Sequence, residues 1–189
     1  MGRAWRGLWV AGAALVSSVA ASQGWPTAAG SQGALEIHVH KLRHELVLQD
    51  GDHVLRRLQV ALGRDYAASK LYRGDGRTPQ GRYYICEKRP NSRFRRFLGI
   101  SYPNIDDAER AYSERLISAD EWADIFFANL QQAVPPWSTA LGGRVGIHGY
   151  GGRAELPIDW TEGCIAVRDA DIDYLYDVVP LGTPVIIGD

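Results

Sequence analysis

The chain of 189 residues is poor in sulfur, with two cysteines and one methionine. Cys86 and Cys164 are too few for a disulfide-dense scaffold or a four-thiolate zinc site, and can form one bridge at most. An excess of charge of one sign is lacking as well: 21 Lys and Arg stand against 22 Asp and Glu, a net charge of -1. Without a global positive field a general nucleic-acid binder is disfavoured, and no nucleic-acid partner is expected. There is no internal repeat, and no apolar run reaches the ~20 residues that span a bilayer. What is present is an ordinary globular composition, 46% hydrophobic, 10% aromatic and 23% charged. That composition excludes a disordered chain or a fibrous rod and favours one domain with a substantial core.

Residues 1–21 have a basic start with Arg3 and Arg6, an apolar stretch from Gly7 to Val16 and small residues ending in Val19-Ala20-Ala21. This is the pattern of a secretory signal peptide, so the protein is expected in the periplasm or cell envelope. Its removal leaves 19 basic against 22 acidic residues, a net charge of -3. Residues 22–33, rich in Gly, Ser, Ala and Gln, read as a flexible lead-in, and residues 34–189 as the folded domain.

Alternation marks strands at Leu35, Ile37 and Val39, at Leu46 and Leu48, and at Val54, Leu58, Val60 and Leu62. Gln49-Asp50-Gly51-Asp52 supplies a turn, so a β-meander opens the domain. A further strand is predicted at Arg82 to Glu87. Residues 104–137 read as a helical insertion. One helix lies between Ile105 and Leu116, capped by Asn104 or Asp106, and a second follows Ser118-Ala119-Asp120-Glu121 and stops at Pro135-Pro136. Arg144 to Ile147 resumes a strand that ends at His148. Asp169 to Val179 has helical periodicity, and Pro184 to Ile187 is a final strand.

Cys164 lies in Thr161-Glu162-Gly163-Cys164, a tight turn shortly before a helix, which can present backbone N–H groups near the sulfur. A thiol attacks a carbonyl as thiolate, and the imidazole on offer is His148, sixteen residues upstream at a strand end. Spacing alone leaves two readings open, a catalytic pair or a buried thiol and a satisfied strand-end histidine.

The segments Ile147-His148-Gly149, Thr161-Glu162-Gly163-Cys164-Ile165 and Gly182-Thr183-Pro184-Val185, preceded by Thr78-Pro79-Gln80-Gly81-Arg82-Tyr83, resemble the L,D-transpeptidase catalytic domain of bacterial cell-wall enzymes. The resemblance runs in the family's order from Leu35 to Ile187. It implies a mainly β fold with α insertions, a β-sandwich or barrel-like catalytic domain with a helical insertion and one C-terminal helix. It implies that Cys164 is an acyl-accepting nucleophile, His148 its base and Gly163 a backbone oxyanion donor. Thr161, Glu162, Arg168 and Gly149 would meet the substrate, a peptidoglycan stem peptide, and no metal or other cofactor is required. Two positions depart from the family pattern: Glu162 stands for the usual His, and Ala166 for the usual Arg or Asn. A sub-branch with a Thr-x-Gly-Cys-Ile-Ala turn is closer, and includes members linked to hydrolysis of wall crosslinks or of lipoprotein attachments. Transfer to an amine is therefore the leading expectation, with hydrolysis (carboxypeptidase, endopeptidase, or release of a wall-attached lipoprotein) and a non-catalytic wall-binding module as alternatives. A monomer is expected.

Carboxylates on such a substrate make Arg82, Arg144, Arg153 and Arg168 candidate clamps, with Arg168 favoured by its nearness to Cys164. His38, His40 and His44 have the spacing of a metal set but read better as an exposed strand face. Cys86 reads as a buried strand residue. Trp122, Phe126, Phe127 and Trp137 read as helix core ahead of a lid over a cleft.

Overall fold

The computed structural model describes Met1 and residues 34–153 and 158–189. The signal segment and lead-in expected at 1–33 lie outside the described residues. Strands β1 (Leu35–His40), β2 (Glu45–Asp50) and β3 (His53–Gln59) form the antiparallel meander, turned at Gly51 with φ 56°. In β1 the alternation buries Ile37 and Val39. β3 differs from the expectation: Val54 is exposed and only Leu58 is buried, because β3 ends the hydrogen-bonded order of the sheet. The apolar run then goes inward beyond the strand, at Val60 and Leu62.

β4 (Gly81–Ser92) extends past the predicted Glu87 and pairs with β5 (Arg95–Ile100), which the sequence reading misses. Its Arg95-Arg96-Phe97 start masks the strand, and only Leu98, Gly99 and Ile100 are buried. Helix α1 (Ile105–Ser113) carries a full capping box between Asn104 and Asp107. Helix α2 (Ala119–Leu130) carries one between Ser118 and Glu121, and ends at Gln131, before the prolines. The two helices close a small core of Ala108, Ala111, Ile117, Ile125 and Leu141. Then follow β6 (Gly146–His148), the two-residue β7 (Ile165–Ala166), α3 (Asp169–Val178) and β8 (Pro184–Gly188).

The eight strands make one sheet in the order β3-β2-β1-β8-β4-β5-β6-β7. β8 is inserted centrally, parallel to β1 and antiparallel to β4. After β3 the chain reaches the opposite end of the sheet: Ala61 and Ala166 exchange backbone hydrogen bonds of 2.9 and 2.8 Å, and Gly63 bridges Thr161. The sheet is therefore curled, with its two ends stitched together in a barrel-like form, and not a sandwich of two sheets. α3 packs on β5 and β6 and lends Ile172 and Leu175 to the main core, with Val179 just past its end.

Candidate active site

β6 and β7 are parallel neighbours, with Ile147 opposite Ile165 and His148 opposite Ala166. Side chains alternate along a strand, so the fully buried Ile147 and Ile165 face the core while His148 and Cys164 are carried to the other side. One further step of register sets Cys164 beside Gly146, diagonal to His148. Both side chains line a cavity of ≈ 220 Å³ with Arg93, Phe94 and Arg144, and an adjoining one of ≈ 380 Å³ with Arg153 and Trp160.

The turn before the sulfur is held by Thr161. Its hydroxyl accepts the Gly163 N–H at 3.1 Å and donates to the Cys164 carbonyl at 2.6 Å. Gly163 has φ 127°, and a Cβ there would overlap the Arg77 carbonyl, so the turn requires glycine. Thr161, expected to meet substrate, is buried and serves the turn, although part of it borders the cavity.

The Cys164 thiol lies 3.7 Å from the carbonyl of Arg144, a residue in the left-handed region with φ 55°. Burial pushes the thiol up, opposed by a backbone hydrogen bond from Gly146 and by the charge of Lys70. That ammonium is buried against Asp75 at 2.7 Å. Asp75 also accepts the N–H groups of Leu71 at 2.7 Å, Tyr72 at 3.1 Å and Arg77 at 3.1 Å.

His148 is buried, stacked on Phe94 at 4.8 Å and edge-on to Trp160 at 5.8 Å. Its Nδ1 stands 2.7 Å from the Gly149 carbonyl. A carbonyl only accepts, so Nδ1 carries the proton and Nε2 is left as the basic nitrogen. Desolvation lowers its pKa, and the Gly149 contact works against that. Gly149 thus contacts His148 and is absent from the lining of the cavities beside Cys164.

The other expected residues divide. Arg144 and Arg153 line the site, whereas Arg82 opens on a separate cavity with Asn104 and Asn129, and Arg168 caps α3 outside the cavities that hold Cys164. Glu162 is exposed and paired with Arg64 at 2.6 Å, and it lines two of the cavities that hold Cys164. A further cavity of ≈ 270 Å³ reaches Cys164 from Lys70, Arg73 and Gly143, and Trp137 borders the space beyond it. Trp122, Phe126 and Phe127 form an aromatic chain on α2. His38 pairs with Glu36 and His44 with Asp159, and among the described residues no three His, Cys, Asp or Glu side chains are grouped to hold a metal. Cys86 and Cys164 are both free, and burial pushes the Cys86 thiol up to about 12. Lys70, Arg73, Arg93, Phe94 and Trp160 are among the site residues that sequence reasoning misses. Trp160, directly before the Thr161 turn, carries the one local signal.

The sequence profile of the L,D-transpeptidase catalytic domain (YkuD) matches residues 35–187. No curated protein matches the chain. Among solved structures, the helical cell shape determining protein Pgp2 of Campylobacter jejuni superposes with a TM-score of 0.58 at 19% identity, over 84% of this chain and 49% of its own. A cysteine-to-serine mutant of the Enterococcus faecium L,D-transpeptidase superposes with a TM-score of 0.50 at 14% identity, over 82% and 50%. The L,D-transpeptidase of Stackebrandtia nassauensis gives 0.50 at 12%, over 89% and 62%. The chain spans about half to three-fifths of the length of these proteins, and at such identities the likeness is one of fold. With its curled sheet, and a profile match running from β1 into β8, the chain belongs to the L,D-transpeptidase catalytic domain (YkuD) family.

Proposed function

We propose that the domain is an exported cysteine acyltransferase acting on peptidoglycan stem peptides, with Cys164 as nucleophile and His148 as general base. The observation that carries this reading is the placing of both side chains in one cavity at the β6–β7 pair, with His148 Nδ1 held on the Gly149 carbonyl at 2.7 Å so that Nε2 is the nitrogen left to accept a proton. Burial raises the thiol and lowers the imidazole, so the resting pair is neutral. Proton transfer from Sγ to Nε2 then accompanies attack on the carbonyl that joins an L-centre to a D-centre.

The tetrahedral oxyanion takes the Cys164 N–H and the Gly163 N–H, the latter exchanging its Thr161 hydroxyl acceptor for the oxyanion. The C–N bond breaks, the leaving D-residue takes the proton from His148, and a thioester remains on Sγ. An acceptor amine gives its proton to His148 and attacks the thioester carbonyl. The C–S bond breaks and the sulfur recovers its proton. The cavities on two sides of Cys164, one bordered by Arg93 and Phe94 and the other by Lys70 and Arg73, support transfer between two peptides over hydrolysis.

The test is mass spectrometry of stem-peptide fragments incubated with the protein, beside Cys164→Ala and His148→Ala. Crosslinked dimers or exchanged terminal D-amino acids, lost in both variants, are the expected result. Shortened fragments alone would make the domain a hydrolase, and no turnover of any donor would overturn the enzyme reading.

A further inference from the structure

Asp169 opens α3, where a carboxylate ordinarily complements the helix dipole. Its side chain does something else. Oδ1 accepts the backbone N–H of Tyr150 at 2.6 Å and of Gly151 at 3.0 Å, and Oδ2 accepts that of Gly152 at 2.7 Å. Three consecutive amides of the loop after His148 thus end on one carboxylate. Gly149 is pinned from its other end, where its N–H donates to the Phe94 carbonyl at 3.0 Å. It has no room for a side chain: a Cβ would overlap Asp169 Oδ1 and stand 2.9 Å from Ile172 Cγ2. The carbonyl of this immobilised glycine receives His148 Nδ1–H at 2.7 Å.

We propose that Asp169 is a positioning residue for the reaction: by gathering the 150–152 amides it fixes the Gly149 carbonyl, and through it the tautomer and ring orientation of His148. The proposal rests on the reading of His148 as the base of Cys164. Asp169 lines none of the cavities beside the sulfur, so it acts through the loop and not on substrate. Arg95 and Arg96 bind Asp173, one turn further along α3, which leaves the Asp169 carboxylate to the loop.

Two substitutions disturb the contact from opposite sides. Asp169→Ala removes the acceptor, and Gly149→Ala keeps the acceptor but forces a Cβ against it. Both are expected to lower kcat for D-amino-acid exchange by about 100-fold, the cost of a ~1 Å misplacement, with KM within about threefold. Asp169→Asn keeps one oxygen for the Tyr150 and Gly151 amides and falls between. Ring ¹⁵N chemical shifts of His148 report Nδ1–H in the unsubstituted protein and a mixture of tautomers in both variants. Asp173→Ala, which removes ion pairs from the same helix, leaves kcat and the tautomer unchanged. The proposal is overturned if both variants keep kcat within about threefold, or if His148 stays Nδ1–H in them. His148→Ala separates the two readings: activity that survives it removes His148 as base, while the tautomer in the other variants still decides the role of Asp169. Should Asp169→Ala fail to fold, Gly149→Ala carries the same spectroscopic test.

Discussion

Lys70 and Asp75 form an ion pair with side chains only 4% and 2% exposed, and removing either partner leaves an uncompensated buried charge, typically at about 3–5 kcal/mol. The two removals are unequal. Lys70→Met leaves Asp75 with the N–H groups of Leu71, Tyr72 and Arg77, so it belongs near about 3 kcal/mol. Asp75→Ala strands the ammonium and all three amides, and belongs near about 5 kcal/mol or beyond. For a domain of this size each kcal/mol moves Tm by about 3 °C, giving falls of about 9 °C and 15 °C. Thermal unfolding at neutral pH measures both. Lys70 also favours the Cys164 thiolate, so in folded Lys70→Met the midpoint of Cys164 alkylation against pH moves up, followed by peptide mass spectrometry. Equal losses below about 1 kcal/mol, or an alkylation midpoint that stays in place, would refute the reasoning.

Gly163→Ala forces a side chain into φ 127° against the Arg77 carbonyl; a loss of about 1–3 kcal/mol in denaturant unfolding, with Cys164 alkylation slowed in the folded variant, is expected. Burial raises the Asp107 carboxyl to about 6, opposed by the Asn104 N–H and the Tyr83 hydroxyl. A raised acid contributes stability that is complete below its unfolded value near 3.9 and is lost as pH rises through about 6, a change of order 3 kcal/mol. Asp107→Asn should flatten that part of the stability curve, and an unaltered slope would contradict it. His148, lowered by desolvation, stays neutral down to below its ordinary 6.5, so the acid limb of kcat/KM should lie under that value. A limb at or above 6.5 would place another group in control.

The local codes were the legible ones. The Ser118–Glu121 capping box, the Gly51 turn and the alternation of β1 follow from neighbours within four residues, and the structure has them where the sequence predicts them; at α1 the structure chooses Asn104 over Asp106 as the cap and adds a box with Asp107. Cys164 and His148, singled out by the motifs that flank them, do line one cavity. What surrounds them was not legible. Phe94 sits on an arginine-rich hairpin with no apolar period, β7 is two residues long, and Lys70 reaches the sulfur from a segment without strand or helix. Asp169 meets its loop across 17 to 19 residues of sequence, and a helix-start aspartate gives no sign of such a partner. The roles of Thr161 and Gly149 depend on a side chain or carbonyl turning inward, which residue type does not specify. Arg168 is near Cys164 in sequence, but at the start of α3 it sits outside the cleft.

The stitch between Ala61 and Ala166 makes the reaction centre a property of the whole domain. The proposed nucleophile and base stand at the β6–β7 end of the sheet, yet one wall of their cleft is built by Lys70 and Arg73, which follow the opening meander. These long-range contacts must all form before the cleft exists, which predicts slow folding with no partly assembled active form. Turnover then becomes a gauge of closure: under denaturant, activity and the global unfolding signal should disappear together, and a circular permutant cut between Gln59 and Gly63 should lose the centre without losing any residue that does the chemistry.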